Sequence, residues 1–336
     1  MDLSVIIINY KSVQHVINCI ESIYKETVSI SFEIIVVDND SDDGSEKKIK
    51  EKFPNAIWIQ TGYNAGFARA NNAGIRPAQG DYILILNADT IVLENALDKA
   101  VALHRKTTEA AAIGVQLLNP DGSHQISGAH FVKGGLNLLL PLPYLGRIVR
   151  WLGYQLKSRV PSITEVSGKI EVDWIVGAFI LVRKDVLPQT GLMDEDFFMY
   201  AEEIEWCSRL KKAGALYLFS EPKVIHLGGG TSGEYYITNE NENSKNLWNK
   251  KGRQIMVSQF LRIRKQFGII WFIIILIIFI IEIPFFIIGL IVEKTITKKR
   301  SIYNWNDVSG YITNIIVVLK HFSRIIRNKP HFYKVY

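Results

Sequence analysis

Two kinds of hydrophobic run alternate along the first half of the chain. Short stretches of nearly unbroken apolar residues, Val5 to Ile8, Glu33 to Val37, Ala56 to Ile59 and Tyr82 to Leu86, are separated by segments of helical length and pattern. A strand with one face in water alternates apolar and polar residues. A continuously apolar strand is covered on both faces, as parallel strands in an α/β layer are. The pattern predicts an α/β fold with an open, mostly parallel sheet flanked by helices. In such sheets ligands are met outside the carboxyl ends of the strands, so chemistry is expected just after each run.

Those ends are polar. Asn9-Tyr10 follows the first run, Asp38-Asn39-Asp40-Ser41-Asp42-Asp43-Gly44 the second, and Asn87-Ala88-Asp89-Thr90 the fourth. Each alone has an ordinary reading as turn or helix-cap chemistry. Three on one edge, with acids abutting buried strands, predict a site.

Composition narrows the classes. With 336 residues, 48% hydrophobic and 10 prolines, the chain is neither disordered nor collagen-like. At roughly 150 residues per domain it makes one large domain with an appendage, or two domains. Cys19 and Cys207 provide no disulfide framework and no CxxC or Cys/His cluster for zinc, which fits a reducing compartment. The first residues, Met1-Asp2-Leu3-Ser4, have no basic segment or small-residue cleavage site, so export is not expected. No internal repeat or low-complexity tract is present. The net charge of +6 is concentrated late, in Lys245 to Lys265 and Lys294 to Arg300, on either side of the most apolar stretch. That placement points to an anionic membrane surface before nucleic acid.

Ser4-Val-Ile-Ile-Ile-Asn-Tyr10, Ile35-Val-Val-Asp-Asn-Asp-Ser41, Asn64-Ala-Gly-Phe-Ala-Arg-Ala-Asn-Asn72 and Leu86-Asn-Ala-Asp-Thr90 form four successive blocks. They resemble those of family 2 glycosyltransferases. A fifth, Val172-Asp-Trp-Ile-Val-Gly-Ala-Phe179 followed by Met193-Asp-Glu-Asp-Phe-Phe-Met-Tyr-Ala-Glu-Glu-Ile-Glu-Trp-Cys207, resembles the acceptor half of the rhamnosyltransferase-like branch. The resemblance covers about residues 3 to 265, with the blocks in family order. It implies a GT-A fold, with a catalytic domain over 1–265 divided into a donor half, 1–120, and an acceptor half, 121–265. The remainder, 266–336, reads as a membrane-associated helical region.

The chemistry agrees with this on its own terms. Transfer from a nucleotide diphosphate sugar leaves a diphosphate whose charge must be balanced, and a hard carboxylate oxygen at a strand end suits magnesium or manganese. By resemblance Asp89 is the metal ligand. Asn87 stands where the family's Asp-x-Asp motif often begins, with Ala88 between, so one negative charge is missing. His226, after Lys223-Val-Ile, would by itself be a packing or capping residue; the resemblance implies a second metal ligand. The glycine-rich Leu227 to Gly233 reads either as a phosphate-contacting flap or as a linker.

Asp38 resembles the family's nucleotide reader, with helix capping as its alternative. Between Gly62 and Gly74, small residues allow close backbone approach and Asn64, Asn71 and Asn72 offer amides, although Asn72 reads equally as a turn residue. Arg69 is a reasonable diphosphate contact. The donor set implied is Asn9, Tyr10, Asp38, Asn39, Asn64, Gly66, Arg69, Asn71, Asn87, Ala88, Asp89, Trp174 and Gly177.

An inverting transfer needs a base on the acceptor hydroxyl. Tyr200-Ala-Glu-Glu-Ile-Glu-Trp206 supplies three acids; at helical spacing Glu202 and Glu205 share a face and Glu203 points elsewhere. Solvated helix acids are the ordinary reading, but Phe197, Phe198, Met199 and Trp206 flank them. By resemblance the base is Glu203, with Glu202 as the alternative because Glu is a methylene longer than the family's Asp.

The run Ile269 to Val292 is broken only by Glu282 and Pro284. A helix of that length crosses a bilayer core of roughly 30 Å. Basic residues flank both ends, so charge does not orient a span, and a re-entrant hairpin bending near Pro284 would satisfy both. Val308 to Ile326 reads as lying along the membrane or pairing with another subunit, which leaves a homodimer open. The expectation is an inverting, metal-dependent transferase at the cytoplasmic face of the cell membrane. It would move one sugar, such as rhamnose, from a dTDP- or UDP-sugar to a lipid-linked glycan in bacterial surface polysaccharide assembly. Two alternatives are a processive polysaccharide synthase, for which a Gln-x-x-Arg-Trp motif is lacking at Arg147 to Trp151, and an inactive membrane-bound scaffold.

Overall fold

The computed structural model describes residues 1–130, 135–156, 161–228, 247–296 and 301–335. The chain divides into two compact units. The first comprises residues 1–132, 161–195 and 202–237, and the second 133–160, 196–201 and 238–336.

In chain order the elements of the first unit begin β1 (Leu3–Asn9), α1 (Val13–Glu26), β2 (Phe32–Asp38), α2 (Ser45–Lys52), β3 (Ile57–Gln60), α3 (Gly66–Ile75) and β4 (Tyr82–Leu86). Then come β5 (Thr90–Val92), α4 (Ala96–Lys106), β6 (Ala110–Leu118) and β7 (Gly128–Ala129). After α5 (Leu145–Gln155) of the second unit, the first resumes with β8 (Ser162–Ile163), β9 (Lys169–Val172), β10 (Trp174–Ile175), β11 (Phe179–Arg183), α6 (Leu187–Thr190), α7 (Glu202–Ala213) and β12 (Ala215–His226). All four apolar runs of the first half are strands.

The main sheet has the order β3-β2-β1-β4-β11-β6-β12-β5, with β9 also paired to β12. The β3-β2-β1-β4 half is parallel. β11 enters antiparallel between β4 and β6, and β12 runs parallel to β6 but antiparallel to β5. The sheet is therefore mixed, with parallel pairing where the apolar runs are continuous. Side chains alternate across it, as the pleat requires. Val5, Ile7, Leu84 and Leu86 enter one apolar cluster, and Ile6, Ile83 and Ile85 the other. On the second face α3 packs so closely that a Cβ on Gly74 would lie 2.6 Å from Ile6 Cγ2, which only glycine avoids.

The second unit is helical. α5 is joined by α8 (Lys250–Ile291) and α9 (Trp305–Ile326). α8 is two arms meeting at Gly268, whose φ of 86° and ψ of −176° are not helical. Phe260 meets both Phe272 and Phe279, and Trp248 meets Phe286, so the arms run antiparallel. α9 lies along both. Arg253 Nε donates to Asn314 Oδ1 and Arg264 Nε to the Ile326 carbonyl on the first arm, while the Tyr311 hydroxyl donates to the Phe279 carbonyl on the second. The bend thus falls at Gly268 rather than near Pro284. Glycine takes a positive φ without a Cβ penalty, and Pro284 sits on an exposed face of a helix that continues past it.

His104, in the last turn of α4, is 1% exposed and its Nε2–H donates to the Ala110 carbonyl at 3.2 Å. Burial pushes its pKa down to about 4. The folded state therefore favours the neutral ring. Its contribution is full above the ordinary histidine value near 6.5 and is lost as pH falls toward 4, by about 3 kcal/mol in all. Urea unfolding at pH 7, 5.5 and 4 is expected to show that loss, and His104→Gln, which keeps a donor toward Ala110, to flatten this part of the profile.

Candidate functional site

β4 ends at Leu86, and the next residues turn sharply. Asn87 N–H donates to the Ala178 carbonyl at 3.1 Å and Thr90 Oγ1 to the Asn87 carbonyl at 2.7 Å. β5 then pairs antiparallel with the end of β12, His226 facing Thr90, and Leu227 N–H donates to the Asp89 carbonyl at 2.9 Å. This pairing brings together two residues far apart in sequence. His226 Nε2 lies 3.4 Å from Asp89 Oδ1 and 3.4 Å from Asn87 Nδ2. Asp89 is buried, with only 2% of its side chain exposed, against 16% for His226.

Gln125 orients the imidazole, and hydrogen-bond bookkeeping fixes how. Its Nε2 lies 3.2 Å from the His226 carbonyl, which only accepts, so that atom is the amide nitrogen. Its Oε1 then faces His226 Nδ1 at 2.6 Å, so Nδ1 carries a proton. In the neutral ring the lone pair of Nε2 consequently faces Asp89 and Asn87. Gln125 is held in turn by Asn119 Oδ1 at 2.9 Å, and its N–H by the Leu117 carbonyl at 2.9 Å. The turn Asn119-Pro-Asp-Gly-Ser123 folds the chain back along the end of β6, with Leu118 bridged to His124, and this delivers Gln125 to the histidine. A hard carboxylate oxygen, a correctly turned imidazole and a fixing amide behind it suit a divalent cation. Among the described residues no group of three or more His, Cys, Asp or Glu could hold a metal ion.

The 176–178 loop connects this pair to the acids. Ala178 bonds Asn87, and a Cβ on Gly177 would lie 3.6 Å from Glu203 Cγ and 3.5 Å from Phe67 Cζ. The acids occupy the first turn of α7, where the helix dipole favours negative charge. Tyr200 and Ala201 before them both have positive φ, 70° and 69°, a strained approach of the kind found at functional sites. Glu205 is structural: Arg209 Nε donates to Oε1 at 2.8 Å and Nη2 to Oε2 at 2.7 Å. Glu202 is buried and Glu203 half-buried. Burial pushes the Cys207 thiol on the same helix up to about 12, and Cys19 likewise, so neither is a nucleophile at neutral pH.

The other predicted residues assemble a scaffold. Asn9 Nδ2 donates to Asp38 Oδ1 at 2.6 Å, and Ser41 N–H to Asp38 Oδ2 at 3.0 Å. Asn39 donates to Asn64 Oδ1 and the Gly66 carbonyl and accepts from Ala65 N–H, which fixes the entry to α3. Asn71 donates back to the Phe67 carbonyl within the helix. Arg69 Nε donates to the Glu195 carbonyl at 2.9 Å and its Nη1 to the Tyr63 hydroxyl at 3.4 Å. Trp174 lies in β10, opposite Ala129. Tyr10 is half-buried beside exposed Lys11. Most of the glycine-rich segment after His226, residues 229–233, lies outside the described residues.

The mixed sheet with polar strand ends is the GT-A architecture of nucleotide-diphospho-sugar transferases. A solved structure described as GalNAc-T7 with UDP, GalNAc and Mn2+ shares it at TM-score 0.50 and 16% identity, covering 79% of this chain and 50% of that one. Residues 4–166 match the family described as Glycosyl transferase family 2, so this part of the chain is a family 2 glycosyltransferase domain. One relative, an N-acetylglucosaminyl-diphospho-decaprenol L-rhamnosyltransferase of Mycobacterium tuberculosis, is 27% identical over 57% of this chain and 66% of its own length. Another, rhamnosyltransferase WbbL of Escherichia coli, is 29% identical over 54% of this chain and 67% of its own. The chain thus spans about two thirds of the length of these relatives.

Asn72 is a clamp that sequence reading leaves ambiguous. Its Nδ2 donates to the Met193 carbonyl at 2.8 Å and to Glu195 Oε1 at 3.0 Å, and its Oδ1 accepts from Met193 N–H at 3.1 Å. Asn72→Ala strips three partners at a site 1% exposed and is expected to cost roughly 1–3 kcal/mol in urea unfolding. Asn71→Ala, which removes one bond within a helix, is expected to cost less.

Proposed function

We propose that this protein is an inverting glycosyltransferase that moves one sugar from a nucleotide diphosphate sugar to a lipid-linked glycan acceptor. The observation that carries the reading is the Asp89–His226 pair, oriented by Gln125, at the end of the central parallel strands. The names of the relatives support rhamnose as the sugar and a polyprenyl-diphosphate glycan as the acceptor. The donor is then a dTDP- or UDP-sugar, and the work belongs to surface polysaccharide assembly at the cytoplasmic face of the cell membrane.

Asp89 and His226 would hold a magnesium or manganese ion, with Asn87 beside them. When bound, such an ion balances the charge of the leaving diphosphate. The chain's own residues do the rest. Asp38, Asn39 and the Asn64–Gly66 turn form the nucleotide side of the site, and Arg69 faces the diphosphate. Gly177 keeps the space beside Glu203 clear for the acceptor. Glu203 takes the proton from the acceptor hydroxyl as that oxygen attacks the anomeric carbon opposite the leaving group, with Glu202 as the alternative base.

Nucleotide release from a panel of UDP-, dTDP- and GDP-sugars, with manganese, magnesium or EDTA and a polyprenyl-linked acceptor extract, tests the reading. Metal-dependent release with one donor is expected. Silence across the panel together with absent donor binding by calorimetry would overturn it. Asp89→Ala is expected to abolish turnover. Glu203→Gln is expected to keep donor binding and lose transfer, and retained transfer would reassign the base. Gln125→Leu, which removes the acceptor for His226 Nδ1–H, is expected to weaken manganese binding by 10- to 100-fold, read by calorimetry without sugar.

A further inference from the structure

The second arm of α8, residues 269–291, is two-sided. At about 100° per residue, Phe272, Ile275, Phe279, Phe286 and Leu290 fall on one side of the helix and are buried in the bundle. Ile270, Ile273, Ile277, Ile281 and Ile288 fall on the other and are each at least 38% exposed. Trp271 and Phe285, also exposed, widen that side to roughly half the circumference at this spacing. A seam for a second copy of the chain needs only a narrow stripe. An apolar face this broad, with no polar residue breaking it, suits hydrocarbon.

We infer that this arm lies in the plane of a bilayer surface as a monotopic anchor and does not cross the bilayer. The reason is what travels beside it. Phe279, at its middle, bonds Tyr311 of α9; one turn further along α9, Asn314 binds Arg253 of the first arm. Phe272 meets Phe322, two residues from exposed Lys320. Tyr311 and Asn314 are buried in the bundle, but half-buried Arg253 and exposed Thr313 lie beside the arm's middle, and a perpendicular arm would carry them into the hydrocarbon, which membranes rarely tolerate.

α5 gives the same answer independently. The Glu282 carboxylate accepts from the Tyr144 and Leu145 N–H groups at 2.6 and 3.1 Å, capping α5 onto the middle of the arm, and Arg147 pairs with Glu293 at 2.6 Å. Yet α5 exposes Ile148, Trp151, Leu152 and Tyr154, at 48, 58, 42 and 82%. A span would place the N-terminus of α5, held by Glu282, at mid-bilayer, whereas an in-plane arm leaves α5 a second, short interfacial helix. Exposed Trp151, Trp271 and Trp305, with Lys294 5.9 Å from the Trp305 ring, are the aromatic and basic residues that favour a headgroup boundary. The basic excess selects an anionic surface.

This specifies the membrane attachment proposed above and is independent of the transfer chemistry. The test uses the full chain with an environment-sensitive fluorophore on Ile270→Cys, Ile277→Cys, Ile281→Cys or Ile288→Cys, since Cys19 and Cys207 are buried. Depth-dependent quenching is read in phosphatidylcholine vesicles with and without 30% phosphatidylglycerol. The four labels are expected at one shallow depth, with binding at least tenfold stronger to the anionic vesicles. Positions 277 and 281 lying about 10 Å deeper than 270 and 288 would show a span and overturn the in-plane mode. Absence of vesicle binding would overturn attachment itself, and labels that respond only to protein concentration would assign the face to a second copy. Ile277→Asp with Ile281→Asp, both exposed, is expected to reduce vesicle partitioning tenfold or more without changing the unfolding midpoint.

Discussion

Apolar side chains clamp β1 and β4 from both faces of the sheet, and that burial decides where this protein can do chemistry. Ile6, Ile83 and Ile85 fill one side while Val5, Ile7, Leu84 and Leu86 fill the other, so the middles of both strands are apolar on each face. Polar residues are displaced to the strand ends, where the chain leaves the sheet. The mixed topology then matters. Because β12 runs parallel to β6 and antiparallel to β5, its last residue, His226, reaches the same edge as Asp89. The turn that supplies the carboxylate and the strand that supplies the imidazole are chain-distant, and the pairing of β5 with β12 makes them neighbours.

Much of the polarity at that edge holds backbone in place. Asn9, Asp38 and Ser41 bind one another, Asn39 fixes the start of α3, and Asn72 clamps Met193 and Glu195. These residues bind within the protein first, and what they position is the set that faces outward. The same is true of the three acids in the first turn of α7: Glu205 is neutralised by Arg209, so the helix face it shares with Glu202 is anchored, and Glu203 is left beside Gly177. Structural and chemical roles are divided among adjacent residues of the same type.

The strands, their parallel half and the polar edge were legible because each depends on local pattern: unbroken apolar runs followed at once by Asn and Asp. Asp89 and His226 could be singled out as types, by resemblance, but their approach to 3.4 Å depends on β5 meeting β12, which no local signal carries. Gln125 was missed. Its segment contains no chemical motif, and the only available hint was the turn Asn119-Pro-Asp-Gly-Ser123, which reverses the chain without saying toward what. Asn72 and Glu205 were legible as polar helix residues but not as clamps, since their partners, Met193 and Arg209, are set by tertiary packing in one case and by one of several competing helix pairs in the other.

The apolar stretch after Gly268 shows why mean hydropathy is a poor guide to how a helix meets a membrane. An average over Ile269 to Val292 records how apolar the stretch is and discards which residues face the same way. The buried and exposed residues are equally apolar, so the division between them is invisible until the first arm and α9 cover one side. Glu282 reads in sequence as a flaw in a span. In the structure it is wholly buried and caps α5, so the one acid in the stretch ties a second amphipathic helix to the first. A carboxylate needed to hold two helices together accounts for its presence, and its two bonds to α5 keep it from meeting hydrocarbon.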